Sequence, residues 1–330
     1  MGSISGSGSI REEKVTGLLY TYKDLALSFR YVFTVFTPTY NRAQTLGRVY
    51  ESLQKQTFRD FEWLVVDDGS GDNTFELIQD WQKKSDFSIR YFRQDNQGKH
   101  FAYNRGVTEA LGKLFLLIDS DDSFVPEALE KFLYYWEMIP SEERNHFVGV
   151  TALCMDQNGK MIGTGFPRHI TDSNVLEIHY KYKVKGEKWG FNRTAVLKNY
   201  LFPEILKKEY FPEGIIWNAI ARVYQTRFVN ERLRVYWIEK NSLVHGKHIA
   251  KKNALGGHLE HLHLLNDNLT WFRFAPLEFF RSALHYGRFS FHAGISPRQQ
   301  LRLLKTRWSR CLWVLMFPLA LLMVWKDKMG

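Results

Sequence analysis

The stretch Leu114–Asp122, LFLLIDSDD, joins an apolar run to an acidic run and decides the fold class. The apolar residues Leu114–Ile118 predict a buried strand, because short uninterrupted apolar runs are typical of strands inside a sheet. Three aspartates among the next four residues repel one another, so a solvated turn explains them poorly. The chain repeats this arrangement in FEWLVVDDGS, where an apolar run from Phe61 precedes Asp67 and Asp68.

Predicted strands and helices alternate around these two runs. The predicted strands are Tyr31–Thr37, Phe61–Val66, Ile89–Phe92 and Leu114–Ile118, and the predicted helices are Gln44–Gln56, Thr74–Lys84, Phe101–Leu111 and Pro126–Trp136. Such alternation indicates an α/β fold with a mostly parallel central sheet. Since ligands of open α/β sheets bind beyond the carboxyl ends of the strands, both acidic runs are expected at one ligand-binding edge.

The pattern changes after residue 145. Phe147–Leu153 and Met161–Thr164 flank an Asn-Gly turn and predict a β-hairpin. Helical spacing follows near 194–200 and 213–225, and the chain is helical and rich in histidine from about residue 255. We therefore expect an extension over 1–30, an α/β domain over 31–250 with halves at 31–145 and 146–250, and a helical C-terminal region over 251–330.

The net charge of +10 is concentrated near the end of the chain. From Ser296 onward, seven Lys and Arg residues oppose one acidic residue, Asp327. Because this charge lies beside an apolar run rather than along an exposed groove, nucleic-acid binding is not expected. The two cysteines, Cys154 and Cys311, argue against a disulfide framework and a cysteine-rich metal site.

The acidic run contains a D-x-D motif, Asp119-Ser120-Asp121, with the chemistry of a metal site. Carboxylate oxygens are ligands for Mg²⁺ and Mn²⁺, and diphosphate oxygens can complete the coordination shell. The ion then offsets negative charge on a departing nucleotide diphosphate. Asp68 is a candidate acceptor for an N–H of a nucleotide base, although an ordinary Asp-Gly turn explains the same residues equally well.

Rival nucleotide-binding motifs are missing or incomplete in the sequence. There is no G-x-x-x-x-G-K-[ST] sequence, and Gly163-Thr164-Gly165 lacks the third glycine of a dinucleotide fingerprint. Phosphatases that use an aspartyl nucleophile also carry D-x-D after a strand. In those enzymes we expect the motif after the first strand of the domain, and here it follows the fourth.

Five motifs in a fixed order resemble the inverting GT-A glycosyltransferases of family 2. They are PTYNR at 38–42, QTF at 56–58, VVDDGS at 65–70, NQG at 96–98 with Ala102, Asn104 and Gly106, and IDSDD at 118–122. The resemblance spans about residues 31–135 and implies a GT-A (Rossmann-like) fold, with a nucleotide-sugar half over 31–145. Lys188 onward and FPEGIIWN at 211–218 are similar to the acceptor half of members that build bacterial cell-surface polysaccharides.

The resemblance also implies roles for single residues. Pro38, Tyr40 and Asp68 match positions that contact the base and ribose of the donor. Asp119 and Asp121 match the D-x-D ligands of Mn²⁺ or Mg²⁺, with Asp122 as an alternative ligand and Ser120 in the donor site. Lys99 precedes a predicted helix and is a candidate contact for a donor phosphate, with a surface lysine as the alternative.

The catalytic base of the family is usually an Asp of a Glu-Asp pair ahead of a helix that bears a Trp. The matching place here is Glu213-Gly214, with Trp217 further on, which departs from that pair. We predict that Glu213 takes the proton of the acceptor hydroxyl during a single inverting displacement. The alternative is that Glu213 caps the following helix. His245 lies about where some GT-A enzymes supply another metal ligand, but an ordinary exposed or packed imidazole is favoured.

The C-terminal residues predict a basic amphipathic helix followed by a short apolar run. Leu301, Leu304, Trp308, Leu312 and Leu315 form one helical stripe, and Arg298, Arg302 and Lys305 form another. Cys311–Trp325 is uncharged and holds Pro318, but a membrane span needs about 20 apolar residues. An in-plane or shallow anchor over residues 298–325 is therefore predicted, with packing on the α/β domain or on a second copy as the alternative.

The sequence therefore predicts a metal-dependent, inverting glycosyltransferase. The expected donor is a nucleotide-diphosphate sugar, most simply a UDP-sugar, and the expected acceptor is a hydroxyl of a glycan or lipid-linked glycan. The expected location is the cytoplasmic face of a bacterial inner membrane. The alternative is a GT-A protein that binds a nucleotide-sugar at the membrane without turnover.

Overall fold

A computed structural model describes residues 28–207, 210–238 and 253–329, and it contains a nine-stranded mixed sheet. The strands are β1 (Tyr31–Thr39), β2 (Phe61–Asp67), β3 (Ser88–Arg93), β4 (Gly112–Leu117), β5 (Ser123–Phe124), β6 (Phe147–Asp156), β7 (Ile170–Ser173), β8 (Lys188–Arg193) and β9 (Gln225–Tyr236).

The helices cover both faces of the sheet in the first half and follow one another in the C-terminal region. They are α1 (Gly47–Gln54), α2 (Thr74–Lys84), α3 (Lys99–Glu109), α4 (Ala128–Glu137), α5 (Val175–Tyr180), α6 (Thr194–Leu197), α7 (Gly214–Ala221), α8 (Ala254–Asp267), α9 (Pro276–His292), α10 (Pro297–Leu303) and α11 (Arg307–Met329). Short 3₁₀ turns occur at Arg144–His146 and Leu269–Phe274.

The first half of the sheet is parallel, as the sequence predicts. The strand order is β3-β2-β1-β4, and all three pairings are parallel. Every residue of β2 is buried, because helices cover both faces of a parallel sheet. β1 extends two residues beyond its predicted end and includes Pro38, which has a strand neighbour only on the β2 side because pairing with β4 ends at Phe36.

The second half of the sheet is mixed, and the predicted hairpin is present only as a short turn with one antiparallel bridge. β8 lies antiparallel between β4 and β6, while β6 and β9 are parallel neighbours. β8 pairs with β6 only from Gly149 to Leu153, so the segment after the turn makes its single bridge beyond that point, from Met161 to Met155. The helices predicted near 194–200 and 213–225 are shorter, at Thr194–Leu197 and Gly214–Ala221. The strands β5, β7, β8 and β9 lie outside the sequence predictions.

The C-terminal helices pack on each other and on the α/β domain. α9 lies against both α8 and α11, and one hydrophobic cluster joins Tyr180 of α5 to Phe279, Tyr286 and Trp313. Gly287 lets α9 and α11 approach closely, because a Cβ atom there meets the Ala320 Cβ at 2.8 Å. The predicted single apolar stripe of the tail is therefore split between a packed face and an exposed face.

The two faces of α11 differ in what they contact. Leu312 is buried against α9, whereas Trp308 and Leu315 are 75% and 64% exposed. By length and composition, Arg307–Asp327 is one helix among the described residues that is apolar enough to cross a membrane. The domain boundaries proposed from the sequence stay predictions.

Candidate functional site

The loop after β2 supplies the first acidic residue of the site. The Asp68 carboxylate accepts hydrogen bonds from Gln94 Nε2 at 2.8 Å, Gln97 N at 3.0 Å and Gly98 N at 2.8 Å. Gly69 has a φ of +85°, and a Cβ there would meet the Asn96 backbone nitrogen at 3.0 Å. The Asp-Gly sequence thus brings the loop over residues 94–98 directly against Asp68.

Asp119 and Asp122, which follow β4, are bound by an arginine from β9. Arg234 Nε donates to Asp122 Oδ2 at 2.7 Å, and Arg234 Nη2 donates to Asp119 Oδ2 at 2.8 Å and also to Asp122 Oδ2. The remaining Asp122 oxygen, Oδ1, accepts from Trp237 N at 3.0 Å. Asp122 is nearly fully buried by these contacts, which favour a structural role for it.

Asp121 is more open than either neighbour. Its side chain is 36% exposed, and its Oδ2 atom lies 3.8 Å from Arg42 Nη2, beyond hydrogen-bond distance. The Asp121 backbone carbonyl accepts from Arg48 Nη1 at 2.7 Å, which holds the loop in place. The carboxylate of Asp121 is therefore available to a ligand.

Lys99 joins the acidic loop to the start of α7. Its Nζ atom lies 2.9 Å from Asp119 Oδ1 and 3.6 Å from Glu213 Oε1. Burial by itself lowers the pKa of the Lys99 ammonium, but the Asp119 and Glu213 carboxylates outweigh that effect and raise the pKa above its usual value. Burial likewise raises the pKa of Asp119, yet Lys99 and Arg234 bring it down to about 2. Both groups are charged near neutral pH.

Glu213 is the N-cap residue of α7, but its side chain makes no capping hydrogen bond. The alternative explanation of Glu213 as a helix cap is therefore not favoured by the geometry. The carboxylate lies beside Lys99 instead, and its side chain is 42% exposed. A carboxylate with that exposure, on the wall of a cavity, can reach a hydroxyl of a bound substrate.

Two adjoining cavities meet at Lys99, Asp119 and Tyr236, which line both. The donor cavity, as we name it, has a volume of about 610 Å³ and is lined by Pro38, Thr39, Tyr40, Arg42, Asp68, Asn96, Gly98, Lys99, Ala102, Asp119, Ser120, Asp121 and Tyr236. The second cavity, of about 510 Å³, includes Glu213, Trp217, Trp189 and Glu187. The cavities are adjacent, so ligands in them can touch.

Each cavity also contains a buried hydroxyl that has no hydrogen-bond partner among the described residues. Thr39 Oγ1 lies at the donor cavity and Tyr103 Oη at the second cavity. Buried polar atoms are nearly always hydrogen-bonded in folded proteins, and a polar ligand is one way to satisfy them. Both hydroxyls therefore fit cavities that bind hydroxyl-rich or phosphate-bearing molecules.

Most residues predicted from the sequence come together in this place. The donor cavity is lined by Pro38, Tyr40, Asp68, Lys99, Asp119, Ser120 and Asp121, and Glu213 lines the second cavity. Asp122 lines neither cavity, and His245 lies outside the described residues. Their individual roles stay predictions.

Sequence reasoning missed Arg234 and Tyr236, which come from β9. The available signal was the alternation of Arg232, Arg234 and Tyr236 with the apolar Leu233 and Val235, since alternation is typical of a strand. An arginine that enters a sheet in this way needs a carboxylate partner.

The donor cavity fits a divalent cation through two of the three aspartates. Asp121 presents an open carboxylate and Asp119 lines the same cavity, whereas the Asp122 side chain is only 2% exposed and lines neither cavity. Within the described ranges, no group of three or more His, Cys, Asp or Glu side chains is placed to hold a metal ion. An ion here would take its other ligands from a bound diphosphate and water.

A parallel half-sheet with acidic loops at its carboxyl edge and two adjoining polar cavities defines a nucleotide-dependent group-transfer protein. The Glycosyl transferase family 2 model matches residues 34–193. An uncharacterized glycosyltransferase of Mycoplasma genitalium is 37% identical over 214 residues, which cover 63% of this chain and 68% of that protein. The chain belongs to glycosyl transferase family 2 and is a glycosyltransferase with a nucleotide-sugar donor.

Other similar proteins have more specific names. The GalNAc(5)-diNAcBac-PP-undecaprenol beta-1,3-glucosyltransferase of Campylobacter jejuni is 28% identical over 239 residues, covering 70% of this chain and 72% of that protein. The fold is similar to that of S. aureus TarS 1–349 in complex with UDP-GlcNAc, with a TM-score of 0.56, 20% identity, and coverage of 86% of this chain and 79% of that one. It is also similar to GalNAc-T7 with UDP, GalNAc and Mn²⁺, with a TM-score of 0.52, 14% identity, and coverage of 83% and 57%. These two structures show the GT-A fold.

Proposed function

We propose that this protein is a metal-dependent, inverting glycosyltransferase that moves a sugar from a UDP-sugar to a hydroxyl of a glycan or lipid-linked acceptor at a membrane surface. The observation that carries the proposal is the pair of adjoining cavities. The donor cavity holds the D-x-D carboxylates, and the second cavity holds Glu213 on the other side of Lys99.

The donor cavity supports binding of the nucleotide through groups of different chemistry. The Tyr40 ring is 49% exposed and offers a stacking surface for the base. Asp68 accepts from a base N–H, and Thr39 Oγ1 is free to bond a ribose hydroxyl. UDP-GlcNAc and UDP in the two similar structures support uridine as the base.

Glu213 is the proposed base. An acceptor hydroxyl in the second cavity attacks the anomeric carbon from the face opposite the diphosphate and gives its proton to a Glu213 carboxylate oxygen. The bond from the anomeric carbon to the diphosphate oxygen breaks in the same step, so the anomeric configuration inverts. In the donor-free protein the Lys99 ammonium lies 3.6 Å from that carboxylate, at the place where the two cavities meet.

Asp121 and Asp119 are the proposed ligands of a Mn²⁺ or Mg²⁺ ion. When bound, such an ion neutralises charge that develops on the departing diphosphate. The chain's own residues support this role: Arg234 orients Asp119, and Arg48 fixes the loop at the Asp121 carbonyl. His245 stays a predicted further ligand outside the described residues.

The exposed face of α11 supports a membrane-bound acceptor. Trp308, Leu315, Leu322 and Trp325 are exposed, with cations nearby on α10 and at both ends of α11. Because its other face packs along α9, the helix fits an orientation in the plane of the membrane rather than across it. The undecaprenol-linked substrate in the name of the Campylobacter jejuni relative supports a lipid-linked acceptor. The cytoplasmic face of a bacterial inner membrane is the location that we propose for the transfer.

A titration with nucleoside diphosphates, with and without Mn²⁺, tests the donor site. We expect tight UDP binding by the wild type that requires Mn²⁺ and is lost in Asp121→Asn. Asp80→Asn, an exposed carboxylate paired with Lys84 on α2, is the matched control and should bind like the wild type. Binding of another nucleotide changes the donor assignment, and binding without transfer to any acceptor supports the non-catalytic alternative.

A further inference from the structure

Lys99 lies at the point where the two cavities meet, and its ammonium is shared by two carboxylates. The Nζ atom is 2.9 Å from Asp119 Oδ1 and 3.6 Å from Glu213 Oε1. The second oxygen of Asp119 accepts from Arg234 Nη2 at 2.8 Å. Both Asp119 oxygens therefore face a side-chain cation, so a metal ion that arrives alone must compete with one of them.

The two cations that hold Asp119 differ in their freedom to move. The Arg234 side chain is 8% exposed, and its guanidinium also binds Asp122 through two nitrogens. Lys99 is the first residue of α3, and its side chain is 48% exposed. A lysine ammonium sits on a flexible side chain and does not bind carboxylates with the rigid bidentate geometry of a guanidinium. Exchanging the partner of Lys99 therefore costs less free energy than moving Arg234.

The position of Lys99 allows such an exchange without movement of the backbone. Lys99 lines the donor cavity together with Asp121, as well as the second cavity together with Glu213. A diphosphate bound near the D-x-D residues is a stronger attraction for the ammonium than one carboxylate, because it carries more negative charge. The same rotation of the lysine side chain uncovers Asp119 Oδ1.

We propose that Lys99 is a positioning residue that pairs with Asp119 in the donor-free enzyme and moves to the donor diphosphate when it binds, which frees Asp119 for the divalent cation. This inference rests on the proposed function, because it assumes a nucleotide diphosphate and a cation in the donor cavity. It follows that cation and nucleotide bind cooperatively, each raising the affinity for the other by the same factor. The ion alone binds weakly because Lys99 holds its ligand.

Binding of Mn²⁺ without turnover tests this exchange. The free Mn²⁺ signal in electron paramagnetic resonance gives the affinity in the absence and presence of UDP for the wild type and for Lys99→Met. We expect Lys99→Met to bind Mn²⁺ alone about tenfold more tightly than the wild type, and UDP to raise that affinity by a much smaller factor. Lys131→Met is the matched control, since Lys131 pairs with Glu231 at 2.8 Å outside both cavities, and it should match the wild type.

Two further variants separate charge from folding. Lys99→Gln removes the charge but keeps a polar side chain, and it replaces Lys99→Met in the test if Lys99→Met does not fold. Lys99→Arg keeps the charge, so its Mn²⁺ binding without UDP should stay weak. The proposal is overturned if a folded neutral variant binds Mn²⁺ alone no more tightly than the wild type. If the wild type does not bind UDP, and does not bind Mn²⁺ even when UDP is present, the proposed function itself fails. That outcome can be told apart from failure of the Lys99 exchange.

Discussion

Two glutamates, Glu213 and Glu187, line the second cavity. Substituting each in turn tests whether the proposed base, Glu213, contributes to the chemical step while Glu187 does not. Glu213 lies 3.6 Å from the Lys99 ammonium, whereas Glu187 directly precedes β8. We expect Glu213→Gln to lower kcat by about 10²–10⁴-fold, the usual contribution of a general base, with UDP affinity unchanged. Glu187→Gln is the control and should lower kcat less than tenfold. The rate of UDP release at saturating donor and acceptor gives kcat for both variants.

A different outcome would reassign the base. If Glu213→Gln keeps wild-type kcat and Glu187→Gln loses it, the proton goes to Glu187. If both variants keep full activity, the acceptor is activated by another group. Equal loss of UDP affinity in Glu213→Gln would show that the substitution disturbs the donor cavity rather than the chemistry.

Arg234 is the residue on which the acidic loop depends for its stability. Its guanidinium binds Asp119 and Asp122, and it is almost fully buried. Removing one partner of a buried ion pair leaves an uncompensated charge, so Arg234→Met should lower the free energy of unfolding by about 3 kcal/mol. Arg232→Met is an exposed control on the same strand, and we expect it to change stability by less than about 0.5 kcal/mol. Urea denaturation measures both, and equal stability of the two variants would contradict the network.

The sequence predicted the acidic residues of the site better than their partners. Asp68, Asp119 and Asp121 were found because each lies within three residues of the end of an apolar run, so their place at the strand ends is a local property. Arg234 lies more than a hundred residues further along the chain from Asp122, on a strand that was not among the predicted ones. Which oxygen of Asp119 is paired, and with what, depends on that long-range contact.

At the scale of elements, the first half of the sheet could be predicted from local patterns and the second half could not. β1 to β4 alternate regularly with helices along the chain, so their parallel orientation was predictable. β8 inserts antiparallel between β4 and β6, although it follows β7 in the chain. Neither the composition of β8 nor its length indicates that position, because it is set by pairing on two distant edges.

The exposed face of α11 provides a prediction about one element. Leu315 and Leu322 are 64% and 55% exposed, and neither belongs to the buried core. We expect Leu315→Glu with Leu322→Glu to abolish sedimentation with vesicles that contain phosphatidylglycerol and to leave the melting temperature unchanged, because charge is excluded from the acyl region. Val223→Glu, another exposed apolar residue, is the control and should sediment like the wild type.

The vesicle experiment also distinguishes a membrane from a second copy of the chain as the partner of the exposed face of α11. Wild-type protein that ignores vesicles but forms concentration-dependent dimers, lost in the double variant, would assign α11 to a homo-oligomer. Binding to phosphatidylcholine vesicles as strongly as to phosphatidylglycerol would remove the role of the flanking cations.

At the scale of the whole molecule, the C-terminal helices make stability depend on pH. His258 is buried on α8, where its Nδ1 atom is 2.8 Å from Ser290 Oγ and its ring stacks on Tyr286. Burial lowers the pKa of His258 to about 4. Burial, and then the neighbouring His285, His258 and Arg281, lower the pKa of His261 to about 3. Both rings are therefore neutral in the folded protein at pH 7.

Protonation of these histidines favours the unfolded chain. An unfolded histidine has a pKa near 6.5, so below that pH the unfolded state binds more protons and stability falls until the pH reaches the folded-state pKa. For His258 this loss is about 2 kcal/mol between pH 7 and pH 5. Since α8, α9 and α11 share one hydrophobic cluster with α5 and α7, loss of their packing should also destabilise the second cavity, which α5 and α7 line.

Unfolding free energies at pH 7 and pH 5 test this linkage. We expect the wild type to lose stability over that interval and His258→Asn to lose about 2 kcal/mol less, because asparagine can still bond Ser290 and does not titrate. His146→Asn, an exposed histidine in the turn before β6, is the control and should keep the wild-type dependence. If His258→Asn has the same slope as the wild type, His258 is already accessible to protons in the folded state, and the stability lost between pH 7 and pH 5 comes from other groups such as His261, whose pKa burial also lowers.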